Sequence, residues 1–216
     1  AEPRLTWAVP VRENVMVGVG VGYTYRGAYE PAETLTGAYD PGNEIEVFGG
    51  ADVRFGQSHA VSTDLAFTRF GSDTVDGARR YEARYKLSGT VQYLFQRDFT
   101  SLRVIGRLQH WPESRVFVPG LGIGANPVFE DRQVVPSEWF LRTSATTRLA
   151  DWMDVRLTID GQRYQQTVVQ SDLMVATLRV APTFHLPGDV YVTPGVGYSA
   201  GDVQRFETRL RTEVRF

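Results

Sequence analysis

The sequence predicts an all-β chain folded as an up-and-down antiparallel meander of about ten strands, with eight or twelve as the neighbouring counts. Two observations predict it. From residue 14 onward, stretches of ten to fifteen residues alternate apolar and polar side chains, and the breaks between them alternate long and short. Alternation is what an extended strand imposes, because successive side chains point to opposite sides. No segment holds the 3.6-residue period of a helix.

The first strand, within residues 14–27, places Val15, Val17, Val19, Val21, Tyr23 and Tyr25 on one face. Its other face carries the glycine lane Gly18, Gly20 and Gly22, and glycine inside a strand marks a bend or a close approach. Residues 44–55 alternate Ile45, Val47, Ala51, Val53 and Phe55 against Glu44, Glu46, Asp52 and Arg54. The same pattern recurs at 60–70, 81–95, 101–111, 139–150, 154–165, 174–186, 190–200 and 206–216. The first long break spans 28–43, followed by the short "GQSH"; "GSDTVDGARR" is followed by "QRDFT". The third runs from 112 to 138 and is followed by "DWM", and "QTVVQSD" by "PGD". In a meander alternate connections share an end, so one end has tight turns and the other has loops.

This asymmetry resembles the transmembrane β-barrels of Gram-negative outer membranes, which have short periplasmic turns and longer outer loops. Phe216 adds to the likeness, since that superfamily commonly ends in an aromatic residue. The resemblance covers nearly the whole chain from residue 14. It implies a small porin-like barrel over 14–216, an N-terminal periplasmic segment over 1–13, and location in the bacterial outer membrane. It also implies a lipid bilayer with lipopolysaccharide and the outer-membrane assembly machinery as partners.

A soluble meander barrel would show the same alternation inverted. Three features favour lipid outside. The strands match the roughly 9–11 residues that cross hydrocarbon at a tilt, against about 5–6 in soluble sheets. Aromatic residues on the apolar face gather near strand ends, among them Tyr23, Tyr81, Tyr93, Trp139, Tyr198 and Phe206, as in interfacial girdles. The third feature is a polar face rich in arginine and paired by sign. Its basic members are Arg26, Arg54, Arg84, Lys86, Arg103, Arg107, Arg142, Arg148, Arg156, Arg179, Arg209, Arg211 and Arg215. Its acidic members are Glu44, Glu46, Asp52, Asp64, Glu82, Asp154, Asp160, Glu207 and Glu213. The surplus is four positive charges, although the whole chain carries −2.

If the first and tenth strands close the ring, the glycine lane lies beside Glu207, Arg209, Arg211, Glu213 and Arg215 and makes room for them. A bend that aids closure is the other reading of the lane. Ten strands give a ring roughly 20 Å across, largely filled by side chains. Two functions follow. One is a narrow passive channel preferring small anionic solutes, with Arg84, Lys86, Arg103, Arg107, Arg142, Arg156, Arg179, Arg209 and Arg211 at the constriction, counterbalanced by Glu46, Asp52, Glu82, Asp160 and Glu213. The other is a closed, salt-bridged barrel that presents its loops for structural, adhesive or partner-binding work. The loop over 112–138, with Val116, Phe117, Val118, Leu121, Ile123 and Phe129, could constrict, cap or bind a partner.

Pro182 and Pro194 lie equally far from Gly188 and would face each other on the lipid side, each removing a ladder donor. That seam is a bulge, a sheet end or a lateral exit for an apolar ligand. No enzyme is expected and no cofactor. The three histidines, His59, His110 and His185, fall at different ends, so no multi-histidine metal site is expected. His110 with Glu113, Glu130 or Asp131 would be the only arrangement resembling the rim chemistry of outer-membrane proteases. There is no cysteine, and the near-neutral charge gives no case for nucleic acid. Lys86 is the single lysine among 23 basic residues, which fits a GC-rich genome or a need for fixed ion pairs.

Overall fold

The computed structural model describes residues 2–29, 38–117, 129–132, 134–165 and 172–214. The chain is all-β. In order it forms β1 (Arg4–Arg12), β2 (Val15–Thr24), β3 (Tyr39–Asp40), β4 (Glu44–Phe55), β5 (His59–Phe70) and β6 (Ser72–Val75). There follow β7 (Ala78–Glu82), β8 (Tyr85–Arg97), β9 (Thr100–His110), β10 (Ser114–Phe117) and β11 (Phe129–Arg132). The last are β12 (Glu138–Ala150), β13 (Met153–Gln165), β14 (Asp172–Leu186), β15 (Val190–Gly201) and β16 (Arg205–Val214). Eleven of them make one sheet in the order β1-β2-β4-β5-β8-β9-β12-β13-β14-β15-β16, and five make a second in the order β11-β10-β7-β6-β3.

The all-β antiparallel class therefore holds, while the count of ten strands is corrected to eleven in the main wall. The added strand is β1, inside the stretch expected to be a separate segment over 1–13. It pairs with β2 from Arg4↔Gly22 to Arg12↔Val15. Closure between the glycine strand and the last strand is also corrected. β2 lies between β1 and β4, and among the described residues β1 and β16 pair with no third strand of the wall.

Period 2 explains both faces. Val17, Val19, Val21, Leu65, Leu141, Ile159, Leu178, Val196 and Leu210 are all exposed on one side of the wall. Neighbours pair across it, as in Val47↔Phe67 and Ile159↔Leu178. Ala83 and Pro41 are the buried apolar side chains among the described residues. A water-soluble domain of this length buries an extensive apolar core; this wall instead turns its apolar side outward, as hydrocarbon solvation requires.

The second sheet is made by three of the long connections: β3 from the first, β6 and β7 from the second, β10 and β11 from the third. The strand expected over 81–95 is broken by a turn at Arg84, whose φ is +65°, so Glu82 belongs to the second sheet and the wall resumes at Tyr85. Within this sheet the Tyr39 hydroxyl donates a hydrogen bond to Asp73. Burial first, and the neighbouring carboxylate second, push the Tyr39 phenol up to about 12.

Candidate functional site

The register sets the inner face of the wall. Arg142 on β12 stands directly opposite Asp160 on β13, and Arg179 on β14 is diagonal to it through Thr158↔Arg179. Arg142 donates from Nε to Asp160 Oδ1 at 2.6 Å and from a terminal nitrogen to Oδ2 at 3.2 Å. Arg179 also donates to Asp160, and its Nε reaches Glu207 on β16 at 2.5 Å. Glu207 holds Arg209 at 3.3 Å as well. Five charges thus form one chain across β12, β13, β14 and β16. Asp160 is buried, only 7% exposed, because two guanidinium groups cover it.

The link from β14 to β16 passes over Gly197 on β15. A Cβ there would lie 3.0 Å from Arg179 Cγ and 3.1 Å from Glu207 Cγ and Oε1. Gly197→Val is expected to push the two side chains apart and destabilise the wall by about 1–2 kcal/mol, read from urea unfolding in lipid vesicles. Equal stability of variant and parent would show that the span needs no clearance.

A cavity of about 700 Å³ lies on this face, lined by Arg103, Arg142, Arg156, Arg179, Arg209 and Arg211 against Glu207 as its one lining carboxylate. Arg103 donates to Gln92 at 2.9 Å and Arg156 to Thr146 at 3.4 Å. Among the described residues neither is in an ion pair, so their charge is available to a solute. Arg211 is held by Glu213 at 3.0 Å.

Other expected residues scatter. Arg107 is on the inner face opposite Thr90 and Phe140. Lys86 is there too, with its ammonium 5.6 Å from the Trp111 ring centre. Glu46 pairs with Arg4 at 3.4 Å, and Asp52 lines a separate cavity of about 440 Å³ near the Glu13–Asn14 turn. Glu82 and Arg84 sit where the chain leaves the second sheet for the wall, and Arg84 pairs with Asp131 at 2.7 Å. Phe216 and Arg215 lie outside the described residues, as do Val118, Leu121 and Ile123. Sequence reading missed Arg4 and Arg205, the first because β1 was not counted and the second because it falls in the connection between the strands at 190–200 and 206–216. Parity alone would have put both on the inner face.

The glycine lane serves a different neighbour from the one expected. Gly20 stands opposite Phe48 on β4, and a Cβ on Gly20 would lie 2.3 Å from Phe48 Cζ. The room is filled by an aromatic ring, over which the Arg4 guanidinium sits at 5.9 Å. Gly22 borders Arg4 and Glu46, and Gly18 borders Ala8.

His110 accepts or donates at Ser137 Oγ, 3.1 Å away. Asp131 and Glu130 are held by Arg84, Arg115 and Arg132. His59 contacts Tyr93 at 2.8 Å and His185 contacts Asp154 at 3.0 Å. Pro182 and Pro194 face each other as the register implies, and the β14–β15 ladder has a gap from Ala181 to Thr183. Thr183 and Thr193 span it by a hydroxyl contact of 2.9 Å on the inner side.

An antiparallel meander with an apolar outer side and a charged inner side has the architecture of a transmembrane β-barrel wall. Two solved receptor structures share this fold. The ferric enterobactin receptor PfeA of Pseudomonas aeruginosa, in a single-residue variant, matches with TM-score 0.73 at 12% identity, over 98% of this chain and 38% of the receptor. PfeA in complex with BCV-L6 matches with TM-score 0.73, at 12% identity over 98% and 39%. The chain thus spans about two fifths of the receptor it resembles. The translocator domain of the autotransporter NalP from Neisseria meningitidis matches at 11% identity with TM-score 0.38, over 100% of this chain and 79% of that one. No family model and no curated protein sequence matches the chain.

Proposed function

We propose that this chain is part of the wall of a bacterial outer-membrane barrel whose inner face binds and passes small anionic solutes. The observation that carries the proposal is the 700 Å³ cavity, where six arginines face one lining carboxylate and two of the six have only neutral partners. A cleft lined by one sign of charge concentrates solutes of the other sign. The likeness to a receptor for ferric enterobactin supports uptake as the setting. Passage and retention of the anion are two rates at the same guanidinium cluster.

The test is the reversal potential of the reconstituted barrel in planar bilayers across a salt gradient. An anion-favouring potential is expected, and Arg103→Glu combined with Arg156→Glu should move it toward cations. A potential unmoved by that pair would overturn the placement of the anion path. The ion-pair chain from Arg142 to Arg209 favours a second reading, a salt-bridged wall that holds the barrel closed beneath its loop sheet. Electrical silence, together with loss of folding stability when the chain is cut, would select that reading.

A further inference from the structure

We infer that the wall is completed by an odd number of antiparallel strands from a polypeptide stretch of different sequence, inserted between β1 and β16. The argument begins with direction. Each neighbour in the eleven-strand sheet is antiparallel to the last, so the first and eleventh strands run the same way. An antiparallel ring needs an even total, and eleven becomes even only by adding an odd number.

The two edges also have to be covered. Hydrocarbon offers no hydrogen bonds, so an open strand edge is not tolerated at membrane depth. Soluble proteins blunt free edges with charge, prolines or short strands. β1 and β16 are nine and ten residues long; β1 holds one proline, Pro10, and the five charges of β16 all lie on its inner face, so the outer faces, with Leu5, Trp7 and Val9 on β1 and Phe206, Leu210 and Val214 on β16, are mainly apolar and unblunted. Leu5 on β1 and Leu210 on β16, each with a strand on one side only, are 72% and 73% exposed, against 46% at Leu141 and 67% at Leu65 inside the wall.

A second copy of this chain does not fit. Rotation about the barrel axis preserves strand direction, so it would set β1 of one copy beside β16 of the other in parallel. Rotation about an axis in the membrane plane makes β1–β1 and β16–β16 antiparallel, but it turns one copy's loop sheet to the opposite side of the bilayer. What remains is a stretch of its own sequence, apolar outside and polar inside. The proportion of PfeA outside the matched region, with 38% of that chain covered, is of the kind such a complement requires.

The test places p-benzoylphenylalanine at Leu5 or Leu210 in the membrane-embedded protein, followed by irradiation and peptide sequencing of the adducts. The adduct peptide at each edge is expected to alternate apolar and polar and to lie outside residues 1–216, the same peptide at both edges if a single strand closes the gap and different peptides if three or more do. Adducts to peptides within 1–216, to non-alternating peptides or to lipid alone would overturn the inference. The absence of cysteine allows a second measurement: Thr6→Cys combined in turn with Arg205→Cys, Arg209→Cys or Glu213→Cys. No oxidative link is expected. A link within one chain would show parallel self-closure, a Thr6→Cys link between copies would show a homodimer, and either overturns it.

Discussion

Asp160→Ala is expected to lower the unfolding free energy of the wall by about 3 kcal/mol, the scale of breaking a buried pair from one side. Asp160 is the shared acceptor of Arg142 and Arg179, and its removal leaves two guanidinium groups facing each other across β13. The arginines are themselves partly exposed, at 43% and 32% of their side chains, so water offsets part of the loss. Urea titration in vesicles, followed by tryptophan fluorescence, measures the change. The same variant removes a negative charge beside the cavity, so ion selectivity should move toward anions while stability falls. A variant as stable as the parent would show that this charge chain is ornamental to folding.

Gly20→Ala is expected to destabilise by about 2 kcal/mol, the range for forcing a methyl into filled space. The added carbon would lie 2.3 and 2.5 Å from the Phe48 ring and 2.9 Å from the Leu5 carbonyl oxygen. The ring can swing away, but the carbonyl belongs to the backbone of β1. Aromatic cover of a cross-strand glycine is a known way to fix register. Phe48→Ala in the Gly20→Ala background should therefore recover part of the loss, with a coupling of about 1 kcal/mol in a double-mutant cycle. Strict additivity would show that the ring and the glycine do not share the space.

Alternation made the two faces legible, since the inner and outer positions of β4, β5, β9 and β12 through β16 follow from parity. It could not reveal where a strand changes sheets. The pattern runs unbroken through Tyr81, Ala83 and Tyr85, while the backbone turns at Arg84. Strands of two to five residues, such as Tyr39–Asp40 and Ser114–Phe117, are too short to show a period. β1 has the alternation Leu5, Trp7, Val9 and Val11, but it is short, and Pro10, a residue that strands tolerate poorly, falls within it. Parity also collected the charges without their partners. That Asp160 serves two arginines depends on the pairing register of three strands, and that Arg179 reaches Glu207 depends on the missing side chain at Gly197.

The ladders of the second sheet couple connections that lie far apart in the sequence. Its strands come from three separate connections, yet β10 is laddered to both β7 and β11, and β6 to both β7 and β3. These segments therefore answer as a single plate rather than as independent fingers. A force applied to any one of the three is passed to the other two through these ladders.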